Sequence, residues 1–235
     1  MELIAMRGEE RQSHVEFQFP ELLARLILES SGDYVSEKRD SERIDEFLEL
    51  QISEIEHQLQ QAIGRAAASQ EAWQHLSPQV FQTPYAEIYR ILQALAPKPG
   101  ELVVDLGAAY GRMAFVLESF FPEVRFVGYE LLEARVFEAR RVLSRLRLQR
   151  SCVEVCDLEN PQFKPVQAQH YFLYDFGTRS AIRKALLDLR DWAREGQIQV
   201  VARGRAARDE IEREHPWLSQ VNQPRHWPHY SLYCS

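Results

Sequence analysis

Apolar residues recur along this chain in two rhythms. Up to about residue 96 they return every three or four positions, the period of a helix with one buried face. Within residues 17–30, Leu22, Leu23, Leu26 and Ile27 form such a stripe, and Pro20 suits a first helical position, where its missing N–H is not needed. SSGDY interrupts the pattern. A longer helix is predicted over 41–67 from Ile44, Phe47, Leu48, Ile52, Ile55, Leu59 and Ile63, with acidic residues on its other faces. A third, over 84–96, sets Ile88, Ile91, Leu92 and Leu95 together and stops at PKPG.

From residue 101 short apolar runs alternate with helical patterns. ELVVDL (101–106), VRFVGYE (124–130), SCVEVCDL (151–158), HYFLYDF (170–176) and GQIQVVARG (196–204) read as strands. The first is an almost continuous apolar run, as in a strand buried on both faces. Helices are predicted over 110–121, 131–149, 178–195 and 206–214. The tail reads as two last strands, WLSQVNQ (217–223) and HYSLYC (229–234), joined through QPRHWP and able to form an antiparallel hairpin. The fold class is therefore α/β: a seven-stranded, mostly parallel sheet with helices on both faces over residues 81–235. An acidic helical N-terminal extension, residues 1–80, precedes it.

Charge sharpens that division. The chain has 235 residues and a net charge of -7. Residues 1–80 carry sixteen acids against seven bases, and the remainder is nearly balanced and rich in arginine. Acidic helices packed on the main domain are one reading of the extension; a lid, or an attractor for a basic protein substrate, is another. Arg135, Arg140, Arg141, Arg145, Arg147 and Arg150 make the 131–149 region basic. An RNA footprint and a solvated mixed-charge helix both fit it, and the overall acidity disfavours a phosphate backbone. No run approaches the roughly 20 apolar residues of a membrane span. MELIAMRGEERQ lacks the features of a signal peptide, and three cysteines make no disulfide framework, so a reducing, cytoplasmic setting is expected.

The candidate chemistry is concentrated in DLGAAYG, Asp105 to Gly111, at the end of the first buried strand. In such sheets ligands bind outside the carboxyl ends of the strands, where strand order reverses. Gly107 allows a tight turn against a ligand and Gly111 lets the helix begin close to it. A dinucleotide would require G-x-G-x-x-G, but the second and third glycine positions hold Ala109 and Arg112, and Asp105 would repel a pyrophosphate. S-adenosylmethionine carries a sulfonium and an ammonium instead. Glu130, 25 residues after Asp105 at the end of the second strand, can accept both ribose hydroxyls. Asp157, in CDLEN after the third strand, can accept from the adenine amino group.

These residues resemble the class I, Rossmann-like, S-adenosylmethionine-dependent methyltransferases over about residues 83–204. VVDLGAAYGR is similar to their glycine-rich motif, GYE to the acidic loop after the second strand, and CDL to the adenine-contact motif. TPYAEIYRIL, DLGxxxGR and GYEL bring a closer resemblance to the small protein-lysine methyltransferases that act on the ATP synthase c subunit, and more distantly to Dot1-like histone lysine methyltransferases. The resemblance implies cofactor contacts from Ala108, Tyr110, Leu131 and Leu158 beside the residues above, and from Thr83 and Tyr85 at the methionine end. It implies a protein side chain, lysine preferred, as methyl acceptor, with nucleic acid less favoured. It implies no metal.

At the end of the fourth strand the acceptor should meet the methyl group, and here the chain reads FLYDFG. The Asn/Asp-Pro-Pro-aromatic motif of many amino-adenine and glutamine methyltransferases is absent, so the acceptor stays open; RNA, a small molecule, or a cofactor-binding module without catalysis are the alternatives. Tyr174 and Asp175 are the catalytic candidates. Asp175 either orients an amine and accepts its proton or caps the 178–194 helix, where Thr178 competes. Tyr174 and Phe176 wall an acceptor channel or belong to the core. Cys152 and Cys156 share a strand face without further metal ligands and are expected in the core. His226, Trp227, His229 and Tyr230 border the substrate site or pack a last strand.

Overall fold

The computed structural model describes residues 19–30, 32–66 and 82–235. The amino-terminal segment, the start of the first predicted helix and the expected division at residues 80 and 81 lie outside the described residues. The strands are β1 (Leu102–Leu106), β2 (Arg125–Glu130), β3 (Ser151–Val155), β4 (His170–Tyr174), β5 (Gln199–Arg203), β6 (Arg225–His226) and β7 (Tyr230–Cys234). They form one sheet in the order β3-β2-β1-β4-β5-β7-β6. The first five are parallel, and β7 runs antiparallel to β5 and β6. This is the expected Rossmann-like, seven-stranded, mostly parallel α/β fold.

Alternate strand residues feed the two faces of the sheet. Val103, Phe126, Phe172, Val201 and Leu232 join one core with helices α1 (19–28), α2 (Tyr34–Phe47), α4 (Tyr85–Leu95), α5 (Arg112–Phe120) and α6 (Glu133–Arg145). Val104, Tyr129, Tyr171, Leu173, Val200 and Tyr233 join the other with α7 (Arg179–Glu195) and α8 (Arg205–Glu214). Phe19, Leu23, Ile27, Ile44, Leu48 and Ile52 lie in the first core, so the acidic helices pack on the sheet domain through their apolar stripes.

The single helix predicted over 41–67 is in fact two: α2 begins at Tyr34, capped by Asp33, and α3 (Ile52–Ala66) follows a break. Glu49 takes a left-handed φ of 51° and Leu50 N–H donates back to the Asp45 carbonyl at 2.9 Å, a Schellman-type ending without glycine. Helix α6 supplies the reason. Arg145 and Arg141 donate to the Leu48 and Glu49 carbonyls, both at 2.6 Å, and Glu138 accepts from Gln51 N–H at 2.7 Å. Side chains distant in sequence satisfy the backbone groups that the break leaves open.

WLSQVNQ is not a strand. His215 and Pro216 start a 3-10 turn, Pro216–Leu218, that drives Leu218 into the core. The partner of β7 is the two-residue β6, from within the segment read as a connection. Cys152 and Cys156 are not core residues either: β3 is an edge strand, Cys152 is exposed and Cys156 half-buried. Trp227 stacks on Tyr230 at 4.7 Å in the β6–β7 turn, and His229 lies 4.4 Å from the Tyr34 ring of α2. No described helix is long and apolar enough to cross a membrane.

Candidate functional site

Strand order reverses between β1 and β4, and a cavity of about 600 Å³ opens there beyond the carboxyl ends of the strands. Gly107, Glu130, Leu131, Asp157, Leu158, Tyr174 and Asp175 line it. A small recess of about 30 Å³ adjoins at Gly107 and Tyr174 and takes in Thr83, Asp105 and Ala108. Ten of the residues singled out from sequence therefore meet at one place. Tyr85, Tyr110 and Gly111 line neither space.

The loop between β1 and α5 is built by backbone bonds. Gly107 and Ala108 N–H both donate to the Tyr129 carbonyl at 2.9 Å, which holds the chain against β2. Gly107 has a φ of 99°, and a Cβ there would lie 3.3 Å from Phe176 Cβ; both facts favour glycine at the cavity wall. Gly111, at φ 72°, caps α5 and faces Val153 of β3, where a Cβ would come within 3.1 Å. Its place serves helix packing, whereas the sequence suggested ligand approach.

Three carboxylates ring the cavity with different environments. Asp105 is buried in β1, and its Oδ1 finds no hydrogen-bond partner among the described residues. Burial, with the nearby Glu130 charge adding to it, pushes its pKa up to about 8. Glu130 accepts from Ala109 N–H and Leu132 N–H, both at 3.0 Å, so it fastens the loops after β1 and β2. Each oxygen retains a lone pair for a ligand. Asp157 lies past the end of β3 in a turn, accepting from Glu159 N–H at 2.8 Å.

On the far side Tyr174 ends β4, with the Arg203 guanidinium 4.8 Å from its ring centre. Arg203 is held by Glu87 at 2.8 Å and by the Tyr34 hydroxyl at 2.8 Å. Asp175 is a cap, but of α8 and not of α7. Its two oxygens accept from Ala206 and Ala207 N–H at 3.0 and 2.8 Å, while Thr178 caps α7. Glu159 accepts from the Thr178 hydroxyl at 2.8 Å and ties the loops after β3 and β4 together across the mouth.

The acidic helices reach the same site. Arg112 of α5 is buried against Asp45 of α2, which also accepts from the Tyr85 hydroxyl at 2.8 Å; Arg112 Nη1 holds the Thr83 carbonyl at 3.1 Å. Glu56 of α3 accepts from the Tyr110 hydroxyl at 2.8 Å and from Arg135 Nε at 2.8 Å. Lys38 of α2 donates to the Gln82 carbonyl at 3.0 Å; burial, then Arg203 and Arg112, lower its pKa to about 8. Gln82, Ala109, Leu132, Arg135, Cys156, Glu159, Phe176 and Gly177 complete the cavity wall. Of these, Phe176 was read as a wall of the acceptor channel or core, Arg135 as part of a basic helix, Ala109 as a missing dinucleotide glycine and Cys156 as core; the others carried no sequence signal of their own. Among the described residues no cluster of His, Cys, Asp and Glu is arranged to hold a metal. A second hollow, of about 340 Å³, lies between α6 and the edge of β3 around Arg140, Arg147 and Cys152 and includes none of the strand-end carboxylates.

No protein-family model matches the sequence, and no curated protein matches it at a significant level. Some solved structures are similar to part of the chain. An RNA methyltransferase from Salinibacter ruber, in complex with S-adenosyl-L-homocysteine, is 20% identical over 65% of this chain and 91% of its own, with a TM-score of 0.48. An S-adenosylmethionine-dependent O-methyltransferase from Thermotoga maritima is 17% identical over 65% of each chain, with a TM-score of 0.49. TrmN from Thermus thermophilus is 15% identical over 65% of this chain, with a TM-score of 0.47; the chain spans 48% of its length.

Proposed function

We propose that this protein is an S-adenosylmethionine-dependent methyltransferase that methylates an amine, with a lysine side chain as the preferred acceptor. One observation carries the ligand reading: the buried, unpartnered Oδ1 of Asp105 in a recess of the strand-end cavity. A buried carboxylate oxygen without a partner is costly and calls for a cation or a donor. The ammonium of the cofactor's methionine end meets that demand there. In this reading Glu130 offers its remaining lone pairs to the ribose hydroxyls, Asp157 accepts from the adenine amino group, and Leu131 and Leu158 flank the base; all four line the cavity, which supports the assignment. The cavity volume falls in the usual range for such ligands. A dinucleotide is disfavoured because the guanidinium lining the larger cavity, Arg135, is committed to Glu56 and lies beside Glu130.

When bound, the cofactor supplies an activated methyl group on a sulfonium. The chain's part is to align the acceptor and keep water out. Tyr174 and Phe176 wall the approach. Among the charged residues of the lining, Glu130, Asp157, Glu159 and Asp175 outnumber Arg135, a balance that draws a protonated amine and repels a phosphate-bearing acceptor. The amine must lose its proton before attack, and Asp175, in the cavity wall after β4 and held by α8, is the candidate to orient it. The 81–235 unit carries the cofactor cavity in this reading, and the 1–80 extension buttresses it.

Calorimetric titration with S-adenosylhomocysteine tests the ligand. Wild type should bind, and Glu130→Ala should weaken binding by about 1–3 kcal/mol, the range for charged hydrogen bonds. Transfer of labelled methyl from S-adenosylmethionine to lysate components then tests the acceptor. Label in protein that survives nuclease supports the amine reading; label in RNA alone would overturn it.

A further inference from the structure

The arginine at the ribose end of the cavity is held by two carboxylates of unequal reach. Arg135 Nε and Nη2 donate to Glu56 Oε1 and Oε2 at 2.8 and 3.1 Å. Its Nη1 stands off from Glu130 Oε1 at 3.6 Å, beyond hydrogen-bond distance. Glu56 is itself buried and fixed from a second side, because the Tyr110 hydroxyl donates to the same Oε1 at 2.8 Å. Glu56 thus belongs to an element, α3, outside the unit that carries the cofactor motifs, yet it decides where a cavity-lining cation sits.

We infer that Glu56 is a positioning residue for the cofactor site: it holds Arg135 off Glu130, so that the Glu130 carboxylate stays open to a vicinal diol. This rests on the ligand reading above. Without the Glu56 charge, a guanidinium largely removed from water does not stay unpaired. The nearest carboxylate left to it is Glu130, whose oxygens already accept one backbone N–H each. A bidentate pair between Arg135 and Glu130 would occupy the lone pairs that the ribose hydroxyls need. Helix α3 therefore acts on the site by electrostatic restraint, at one residue's distance from the ligand.

The test measures S-adenosylhomocysteine affinity by calorimetry for wild type, Glu56→Gln and the double variant Glu56→Gln/Arg135→Gln. Glu56→Gln keeps the side chain's shape and removes its charge. It should bind about 10- to 100-fold more weakly, the loss of charge-assisted hydrogen bonds to the diol. Removing Arg135 as well should restore affinity to within about threefold of wild type, because the two changes act through one contact. A merely structural role for Glu56 predicts no such recovery. Wild-type binding with unchanged affinity in Glu56→Gln, or no recovery in the double variant, would overturn this inference alone. No binding by wild type would overturn the ligand reading and this inference with it. If circular dichroism finds Glu56→Gln unfolded, Glu56→Met, of similar length and likewise without charge, takes its place in the single and the double variant, with the same expected loss and recovery.

Discussion

Asp105 should make ligand binding release a proton, and Asp105→Asn should abolish that release. The carboxyl has a pKa of about 8 because it is buried in β1 next to Glu130. At pH 6.5 a group with that pKa is about 97% protonated, and ionising it to meet a cation costs about 2 kcal/mol, at 1.36 kcal/mol for each pH unit. The ligand's own α-amino group, with a reference pKa of about 7.7–8.0, is already charged at pH 6.5 and contributes almost nothing. Binding of S-adenosylhomocysteine should therefore release close to one proton, and affinity should rise about tenfold per unit between pH 6 and 7. Calorimetry at pH 6.5 in buffers of contrasting ionisation enthalpy counts the proton directly. Wild type without release, or Asp105→Asn with the same release, would refute the assignment of the orphaned oxygen to a cation.

The same group sets a stability dependence of the opposite sense. A folded-state pKa raised above the unfolded value of 3.8 gives a contribution that is full below about pH 4 and lost as pH rises through about 8. At pH 7 the folded protein without ligand forgoes up to about 4 kcal/mol relative to a non-titrating side chain. Asp105→Asn should accordingly melt higher than wild type in the absence of ligand, with a gap that widens between pH 5 and 8. A variant that gains stability while losing its ligand marks a residue kept for binding.

Three further expectations follow from the contacts. Asp45→Ala leaves the buried Arg112 without its carboxylate and should destabilise by about 3–5 kcal/mol, a fall in melting temperature of about 10 °C; a fall below 2 °C would mean that Arg112 finds another partner. Asp175→Ala removes the cap of α8 and should cost about 1 kcal/mol in a denaturant titration. If turnover also disappears while S-adenosylhomocysteine affinity holds, Asp175 acts on the acceptor; unchanged turnover would confine it to the cap. Gly128→Ala would set a Cβ 2.5 Å from that of Ala108, so it should distort the loop after β1 and weaken the ligand as well as the fold, measurable by thermal shift with and without S-adenosylhomocysteine.

What the sequence disclosed tracks the range of the forces involved. Helix and strand periods are local, and the alternation after residue 101 was enough for the five parallel strands and the last strand, though not for its hairpin partner, which is Arg225–His226 and not WLSQVNQ. Asp105, Glu130 and Asp157 were legible because each follows a short apolar run that ends at the same edge of the sheet. Legibility failed where distant groups decide. Nothing near Glu49 signals a helix break, because Arg141, Arg145 and Glu138 seal it across the fold. Nothing near Asp175 tells whether it caps α7 or α8, since β5 must first deliver Gly204 and Ala206 beside it.

The excess acid of residues 1–80 is the sharpest case. As a composition it left open helices packed on the main domain, a lid, or a surface for a basic partner. In the fold, Glu37, Asp45 and Glu56 turn inward to Arg90, Arg112 and Arg135, partners 53, 67 and 79 residues away. The basic helix, for which a nucleic-acid footprint and a solvated mixed-charge face were both open, directs Arg135, Arg141 and Arg145 to the acidic helices and the break between them. A net charge counts both sides of such a contact as surface, whereas the fold neutralises them against each other. Other carboxylates of these helices, such as Glu42 and Glu46, stay exposed, and at the cavity wall Asp157, Glu159 and Asp175 stand beside Glu130; in the proposed reading these last bear on the acceptor. An amine approaching that wall meets negative charge that the helices have not cancelled, whereas a phosphate backbone would meet repulsion at the reacting end and find the arginines of α6 already engaged.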